Sequence, residues 1–231
     1  MKKVKILNIK IFDIFRYSKL AIRDFNRGFA LVELLVALAV FGIITAIMLV
    51  SYNRVRGQLF LSDLAYEIAL SFRQVQSYGV SVHEFRPTLG NATFDVGYGL
   101  HFDAGSLDTY VLFADKGGST TGNGRFDGAY GTEYTETGCN PAAIECVQVF
   151  RIEKGNRISR FCGIRADTGA EECALTFLDV TFLRPNPDAI IKTNETFTLG
   201  RQYKTARVYI VSPTGNNRKI DVWNTGQIAI E

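Results

Sequence analysis

The sequence is poor in the residues and motifs that usually carry enzymatic chemistry. It holds two histidines, His83 and His101, in 231 residues. It contains no G-x-S-x-G sequence, no Walker loop, no dinucleotide fingerprint and no H-E-x-x-H pair. Each histidine is therefore predicted to be a structural or a surface residue. With no catalytic site predicted, we expect a protein that is not an enzyme.

Proline is also scarce, and its absence from one long stretch favours a helix. The chain has five prolines, none of them between Phe29 and Ser81. Gly79, which follows residues 51–78, is predicted to cap the helix C-terminus. Within residues 51–78, apolar side chains recur mostly at steps of three and four, the spacing of one helical face. These apolar residues are Val55, Leu59, Leu61, Leu64, Ala65, Ile68, Phe72 and Val75.

Charge is nearly absent from the segment that precedes this amphipathic stretch. Residues 29–50 contain one ionisable side chain, Glu33. A helix of this length rises about 33 Å, enough to cross a hydrocarbon layer of about 30 Å. Residues 1–28 carry eight Lys or Arg against two Asp. This imbalance predicts a cytoplasmic N-terminus and an exported C-terminal part.

Two ordinary explanations of the apolar segment fit it poorly. A cleaved secretory signal has an apolar region of about 7–15 residues followed by an A-x-A-like site, and neither feature is present. A plain membrane anchor leaves Glu33 unexplained, because a carboxylate inside a membrane is costly and normally has a functional partner.

The junction between the basic and apolar segments resembles a known processing signal. The basic leader ends at Gly28, Phe29 follows, and Glu33 is the fifth residue after the junction. This arrangement resembles the class III signal of type IV prepilins and type II secretion pseudopilins. The resemblance implies cleavage between Gly28 and Phe29 by a prepilin peptidase, and N-methylation of Phe29.

The same resemblance implies a role for Glu33 in assembly of a helical fibre. Its carboxylate is expected to meet the amine that cleavage frees on Phe29 of a neighbouring subunit. Pairing offsets the cost of burying both charges, so the correct stagger between subunits satisfies Glu33. Many major pilins have a proline where this chain has Val50. Its absence favours a minor subunit.

The rest of the chain is predicted to be a β-rich domain. A Gly-, Thr- and Asn-rich loop is expected at 115–142, and turn sequences at 212–217 and 224–226 predict a C-terminal β-meander. Alternation and β-branched content predict strands at 98–102, 109–114, 146–152, 158–164, 174–183, 206–212, 218–223 and 227–230.

The expected fold class is α+β and pilin-like, with one long N-terminal helix packed on an antiparallel β-sheet domain. Four parts follow one another along the chain: a cleaved basic leader at 1–28, a transmembrane and fibre-core helix segment at 29–50, an amphipathic continuation of the helix at 51–78, and an extracytoplasmic β domain at 79–231.

A narrower resemblance covers two stretches of the second half. Residues 64–82 and 208–230 are similar to the corresponding parts of the GspH/FimT minor pseudopilins. In that subtype a first strand follows the long helix, and strand–Gly–strand hairpins end the chain. The resemblance implies the same two features here.

All the cysteines lie in the part predicted to be exported, where an even number favours disulfides. Pairs 139–146 and 162–173 are the simplest of three connectivities, and the sequence leaves the choice open. Free thiols or a zinc site are the alternatives, although the spacings are not those of zinc knuckles. The cysteines are Cys139, Cys146, Cys162 and Cys173.

The glycine-rich stretch 113–133 brings together oxygen donors that could surround one hard cation. Ca²⁺ takes about six to eight oxygens from flexible loops, and some pseudopilins carry a Ca²⁺ in a loop of the β domain. The stretch lacks the ligand order of an EF-hand, so a plain solvated loop is the alternative. The candidate ligands are Asp115, Asn123, Asp127 and Glu133.

A cluster of basic residues near the C-terminus is a candidate nucleic-acid contact. Some FimT-like minor pilins assist DNA uptake through a basic patch. The alternative is a mixed surface, because 18 Lys and Arg remain against 21 Asp and Glu once the leader is removed. The candidate DNA contacts are Arg207, Arg218 and Lys219, with Arg201 and Lys204 nearby.

Together these features predict a structural, minor subunit of a type IV pilus or type II secretion pseudopilus. The expected partners are other pilin subunits, a prepilin peptidase and the inner membrane, crossed once with the N-terminus cytoplasmic. No cofactor besides Ca²⁺ is expected. The alternative is an adhesive or DNA-uptake minor pilin that binds its ligand through the β domain.

Overall fold

The computed structural model describes residues 30–86, 92–116, 122–194 and 202–231, without the side chains of 50, 51 and 53–55. The chain divides into two compact units, Met1–Val50 and Ser51–Glu231. An α-helix, α1, covers Leu31–Val80 and therefore contributes residues to both units. The predicted leader lies outside the described residues.

The described part of the first unit is an apolar helical segment. Leu31–Leu49 is long and apolar enough to cross a membrane, and none of its side chains is buried within the chain. Large apolar side chains are exposed around the whole segment, for example Leu31 at 75% and Phe41 at 68%. The chain itself thus supplies no core for this segment.

The second unit adds an antiparallel β domain to the rest of α1. Its strands are β1 (Gly97–Asp103), β2 (Thr109–Asp115), β3 (Tyr134–Thr135), β4 (Gly138–Cys139), β5 (Cys146–Arg151), β6 (Arg157–Arg165), β7 (Glu171–Glu172), β8 (Phe177–Phe182), β9 (Ala189–Thr193), β10 (Tyr203–Val211), β11 (Asn217–Trp223) and β12 (Ile228–Ile230).

These strands form two five-stranded sheets and a small hairpin. The first sheet has the order β5-β2-β1-β8-β9, the second β12-β11-β10-β6-β7, and β3 pairs with β4. Neighbouring strands pair in antiparallel fashion throughout. The expected α+β fold, a long N-terminal helix with antiparallel sheets, is confirmed.

One continuous core joins α1 to both five-stranded sheets. The helix contributes a stripe of buried side chains at steps of three and four, the periodicity expected of one helical face. The sheets contribute the alternate residues of their inward faces. The principal members are Leu61, Leu64, Ala65, Ile68, Phe72 and Val75 from α1, Leu100, Phe102, Leu112, Val180 and Phe182 from the first sheet, and Phe161, Val208, Ile210, Ile220 and Val222 from the second.

Two details of the predicted helix are wrong. Leu59 is 59% exposed, because it lies about 200° around the helix from the buried Leu61. Gly79 is not a C-terminal cap, since α1 continues to Val80. A Cβ at Gly79 would collide with the backbone carbonyl of Phe182. Glycine at this position therefore permits close approach of the helix to β8. The side chain of Val55 lies outside the description.

The β-strand predictions succeed for the long strands and fail for the short ones. Each predicted strand has a counterpart, although the one predicted at 174–183 is reduced to β8. β3, β4 and β7 have two residues each, too few for a periodic pattern. β9 was also missed, because consecutive apolar residues break its alternation. Between α1 and β1 the described residues contain an isolated bridge, Phe85 to Thr93, and no longer strand.

Candidate functional site

The proposed processing bond, between Gly28 and Phe29, lies outside the described residues, so cleavage and methylation stay predictions. Glu33 lies in the first turn of α1, and its backbone N–H donates to the Ala30 carbonyl at 2.9 Å. A carboxylate at this position interacts favourably with the helix dipole. Within the described ranges, Glu33 has no ion-pair partner. Its pairing with the amine of a neighbouring subunit stays a prediction.

Two disulfides hold local segments of the β domain. The structure pairs Cys139 with Cys146 and Cys162 with Cys173, with Cα–Cα distances of 5.6 and 4.1 Å. The first joins the end of β4 to the start of β5, and the second holds β7 and the residue after it against β6. No cysteine is left free, which removes cysteine ligands for zinc from the oxidised protein.

Asp115 and Asn123 begin the candidate calcium loop, and their oxygens are occupied by hydrogen bonds within it. The two oxygens of Asp115 accept the backbone N–H groups of Asn123 and Gly124 at 2.9 and 2.7 Å. Asn123 accepts the N–H of Arg125 and donates its side-chain amide to Asp127 at 3.0 Å. Both residues thus order the loop backbone.

Glu133 serves a different part of the same loop. Its carboxylate accepts the N–H groups of Ile144, Glu145 and Cys146 at 2.9 to 3.3 Å. Among the described residues, the carboxylates of Asp115, Asp127 and Glu133 do not converge within 4.8 Å of one another. The oxygens of the four predicted ligands thus accept hydrogen bonds within the loop, and calcium binding stays a prediction.

The candidate DNA contacts do not form one basic surface. Arg207 and Lys219 lie on one face of the second sheet, where their registers oppose Asp221 and Tyr209. Arg218 is adjacent to Lys219 in β11 and therefore points to the opposite face. Its guanidinium is 3.4 Å from the Ser62 hydroxyl.

Carboxylates neutralise two of those three cations. Arg207 donates two hydrogen bonds of 2.7 Å to the buried Asp221 and is 3.3 Å from Glu171. This pairing raises the pKa of Arg207. Lys219 is 2.7 Å from Glu231 and has a raised pKa for the same kind of reason. A phosphate backbone would have to compete with these partners.

The sequence prediction missed a buried hydrogen bond between a histidine and an aspartate on the other sheet. Nδ1 of His101 in β1 is 2.6 Å from a carboxylate oxygen of Asp179 in β8. The second carboxylate oxygen accepts the N–H of Phe126 at 3.2 Å. Burial raises the pKa of Asp179, while His101 opposes this shift. His101 is thus a buried residue with a buried partner, and not a surface residue. The signal for Asp179 was a lone charge inside the apolar strand sequence F-L-D-V-T-F.

One comparison with known proteins gives a match. Residues 23–49 match the family model described as the prokaryotic N-terminal methylation motif. Neither the curated proteins nor the solved structures compared with the chain gave a match. The matched segment contains Gly28, Phe29 and Glu33 and ends with the apolar span at Leu49. The motif supports a type IV pilin-like precursor, a membrane-anchored and pilus-associated protein with a structural role.

Proposed function

We propose that the chain is a minor structural subunit of a type IV pilus or a type II secretion pseudopilus. The observation that carries the proposal is the coincidence of the methylation motif with an apolar helical span. That span, Leu31–Leu49, is exposed on all sides and holds one carboxylate, Glu33. A segment of this kind needs a membrane or other helices to cover it.

The proposed life cycle has two stages. The precursor is held in the inner membrane with its basic leader in the cytoplasm, and prepilin peptidase cleaves it between Gly28 and Phe29. Phe29 is then N-methylated. In the second stage the span leaves the lipid and packs among the helices of other subunits, where Glu33 pairs with the terminal amine of a neighbour.

Two observations support a minor subunit of the GspH/FimT kind. α1 continues through Val50, the position at which many major pilins have a proline. The C-terminal strands β10, β11 and β12 form the antiparallel meander that the resemblance implies. The adhesive and DNA-uptake alternative draws no support from the paired cations Arg207 and Lys219.

The test is cleavage of the full chain by a prepilin peptidase in a bacterial membrane. Wild type is expected to lose residues 1–28, and Gly28→Leu is expected to remain uncut, because the leader of the class III signal that the chain resembles ends in Gly. Intact mass and N-terminal sequencing report the new terminus and its methyl group.

Gly42→Leu is the matched control for that experiment. An added Cβ at Gly42 meets nothing within 4 Å, so this variant is expected to be cut like wild type. A wild-type chain that stays uncut, beside a prepilin that the same peptidase does process, would overturn the proposed function and favour a membrane-anchored protein of another kind.

A further inference from the structure

The edge of the second sheet at β12 carries open backbone hydrogen-bonding groups. β12 pairs with β11 alone, so its other side is an edge. Lys219 and Glu231 exchange two backbone hydrogen bonds of 2.9 Å. Because such bonded pairs alternate along an antiparallel ladder, the N–H and C=O groups of Ile228 and Ile230 point away from β11. Within the described ranges, none of these four groups has a hydrogen-bond partner.

The other edges of the two large sheets carry charge, and β12 does not. β7 consists of two glutamates, β9 carries Lys192, and β5 carries Arg151. Charged side chains on an edge strand discourage pairing with a further strand. β12 reads Ile228-Ala229-Ile230. An uncharged, β-branched edge of this kind favours the addition of a strand from another molecule.

Apolar surface lies beside this edge. Tyr66, Leu70 and Arg73 of α1 line a recess together with β12. Tyr66 and Leu70 are exposed large apolar side chains, and Ile228 and Ile230 pack partly buried against the core on the α1 side. A strand laid along β12 would place its alternate side chains over this surface.

Two contacts give the direction in which α1 passes β12. The side-chain amide of Gln76 donates to the carbonyl of Gly226, just before β12, at 3.0 Å. Ser62 lies 3.4 Å from the guanidinium of Arg218, in the part of β11 that pairs with the end of β12. Arg73 is less than one helical turn from Gln76. Arg73 therefore lies nearer to the start of β12 than to its end.

Arg73 defines the charge of a complementary partner. Among the described residues that line the recess, it is the one with a charged side chain, and within the described ranges it has no ion-pair partner. An added strand that runs antiparallel to β12 has its C-terminal end at the start of β12. A carboxylate at that end would be complementary to the guanidinium of Arg73.

We propose that the β12 edge binds an extended segment of a partner protein as an added antiparallel strand. The segment has apolar residues opposite Ile228 and Ile230, and a carboxylate at its C-terminal end beside Arg73. The open backbone groups supply affinity, the apolar side chains beside them select the segment, and Arg73 sets its direction. This binding surface goes beyond the proposed pilus role and does not depend on it.

The test measures amide hydrogen exchange by NMR on the full chain in detergent micelles, with the peptide acetyl-TVTVE as the probe. The amides of Ile228 and Ile230 are expected to exchange about tenfold more slowly when nine-tenths of the sites are occupied, because only the free form then opens these groups to water. The amide of Ala229 is expected not to change, because its N–H already faces β11.

The charge is tested by a matched set of variants and peptides. Arg73→Gln is expected to weaken binding of acetyl-TVTVE by up to about fivefold, the range of one exposed ion pair. The neutral peptide acetyl-TVTVQ-amide is expected to bind wild type and Arg73→Gln equally, because the ion pair is already absent. Arg160→Gln is the control, since it removes a cation that lies 4.2 Å from the ring centroid of Tyr209.

The edge itself is tested by Ile230→Pro. Proline removes an open N–H and none that pairs with β11, so the variant is expected to lose binding while Ala229 stays protected. If Ala229 loses its protection, the variant has not kept β12, and Leu70→Asn at an exposed position replaces it, with weaker binding expected.

Three results would overturn the proposal. The first is binding of acetyl-TVTVE that leaves the exchange of Ile228 and Ile230 unchanged. The second is an equal loss of affinity in Arg73→Gln and Arg160→Gln. The third is protection of both amides without peptide that grows with protein concentration, which would assign the edge to a second copy of the chain. The cleavage test of the pilus role is unaffected by any of them.

Discussion

The two parts of α1 have similar local structure but differ in how much of their side chains the chain buries. Residues 31–49 bury none of their side chains within the chain, whereas Leu61, Ile68, Phe72 and Val75 are at most 2% exposed. Both parts are helical and rich in apolar residues. The second part is stabilised by this chain's own core, whereas the first part has no such core, and we propose that a membrane or a fibre covers it.

The carboxylates of the β domain and the carboxylate of the apolar span differ in the same way. In the β domain, buried carboxylates have partners within the chain: Asp221 pairs with Arg207, and Asp179 pairs with His101. Glu33 has none among the described residues. A carboxylate that will be buried in an assembly needs a partner there, because an unpaired buried charge is costly. The buried carboxylates of the β domain are thus paired within the domain, whereas we propose that Glu33 is paired by another subunit.

The largest effect is expected from removing the carboxylate of Glu33, which we propose is paired in the assembled fibre. Glu33→Leu should insert in the membrane and be cleaved, but should lose most of its incorporation into fibres, measured in sheared fibre fractions. Glu67→Leu, which removes an exposed carboxylate from the second part of α1, serves as the matched control. Normal assembly of the Glu33 variant would remove the role of Glu33 in subunit stagger.

A pair of phenylalanines tests the difference in burial directly. Phe72→Ala should lower the free energy of unfolding of the β domain by about 3–5 kcal/mol, because it leaves a cavity in the core. Phe41→Ala, at a position that is 68% exposed, should leave that free energy unchanged. Urea unfolding in detergent measures both. If both variants lose the same free energy of unfolding, the two parts of α1 are stabilised together.

The disulfides should affect the β domain and not the span. Replacing both Cys162 and Cys173 by alanine should lower the free energy of unfolding by about 2–3 kcal/mol, through added entropy of the unfolded chain. Membrane insertion, measured by carbonate extraction, should not change, since residues 29–50 contain no cysteine. A variant that is as stable as wild type would show that strand pairing alone holds β7.

The smallest expected effect concerns pH. Burial raises the pKa of Asp115 above its ordinary value of 3.8, and the amides of Gly124 and Asn123 oppose the shift. The folded state therefore takes up this proton at a higher pH than the unfolded state does. The free energy of unfolding therefore rises as pH falls through the raised pKa of Asp115. This gain is complete below pH 3.8, the ordinary pKa of the group.

Asp115→Asn should remove that contribution. Between pH 7 and pH 4 the variant should gain less stability, or lose more, than wild type, in urea melts at each pH. Glu231 acts in the opposite direction, because Lys219 lowers its pKa, and it is common to both proteins. If the free energy of unfolding changes with pH in the same way for wild type and for Asp115→Asn, the ionisation of Asp115 is not coupled to folding.

The sequence alone determined the parts of this protein that depend on consecutive residues. The span, the amphipathic stripe of α1 and the long strands were predictable, because each is a local pattern with the period of its own secondary structure. The motif around Gly28, Phe29 and Glu33 is local as well. Even the separation of Arg218 from Lys219 follows from strand alternation.

Only the tertiary structure decided which distant groups meet. Asp179 contacts His101, Arg207 contacts Asp221, and the ammonium of Lys154 lies over the ring of Phe60. The oxygens predicted to bind calcium accept hydrogen bonds from loop amides. Strand order and register select these partners, and both are set by how the whole core packs, which no local stretch of sequence encodes.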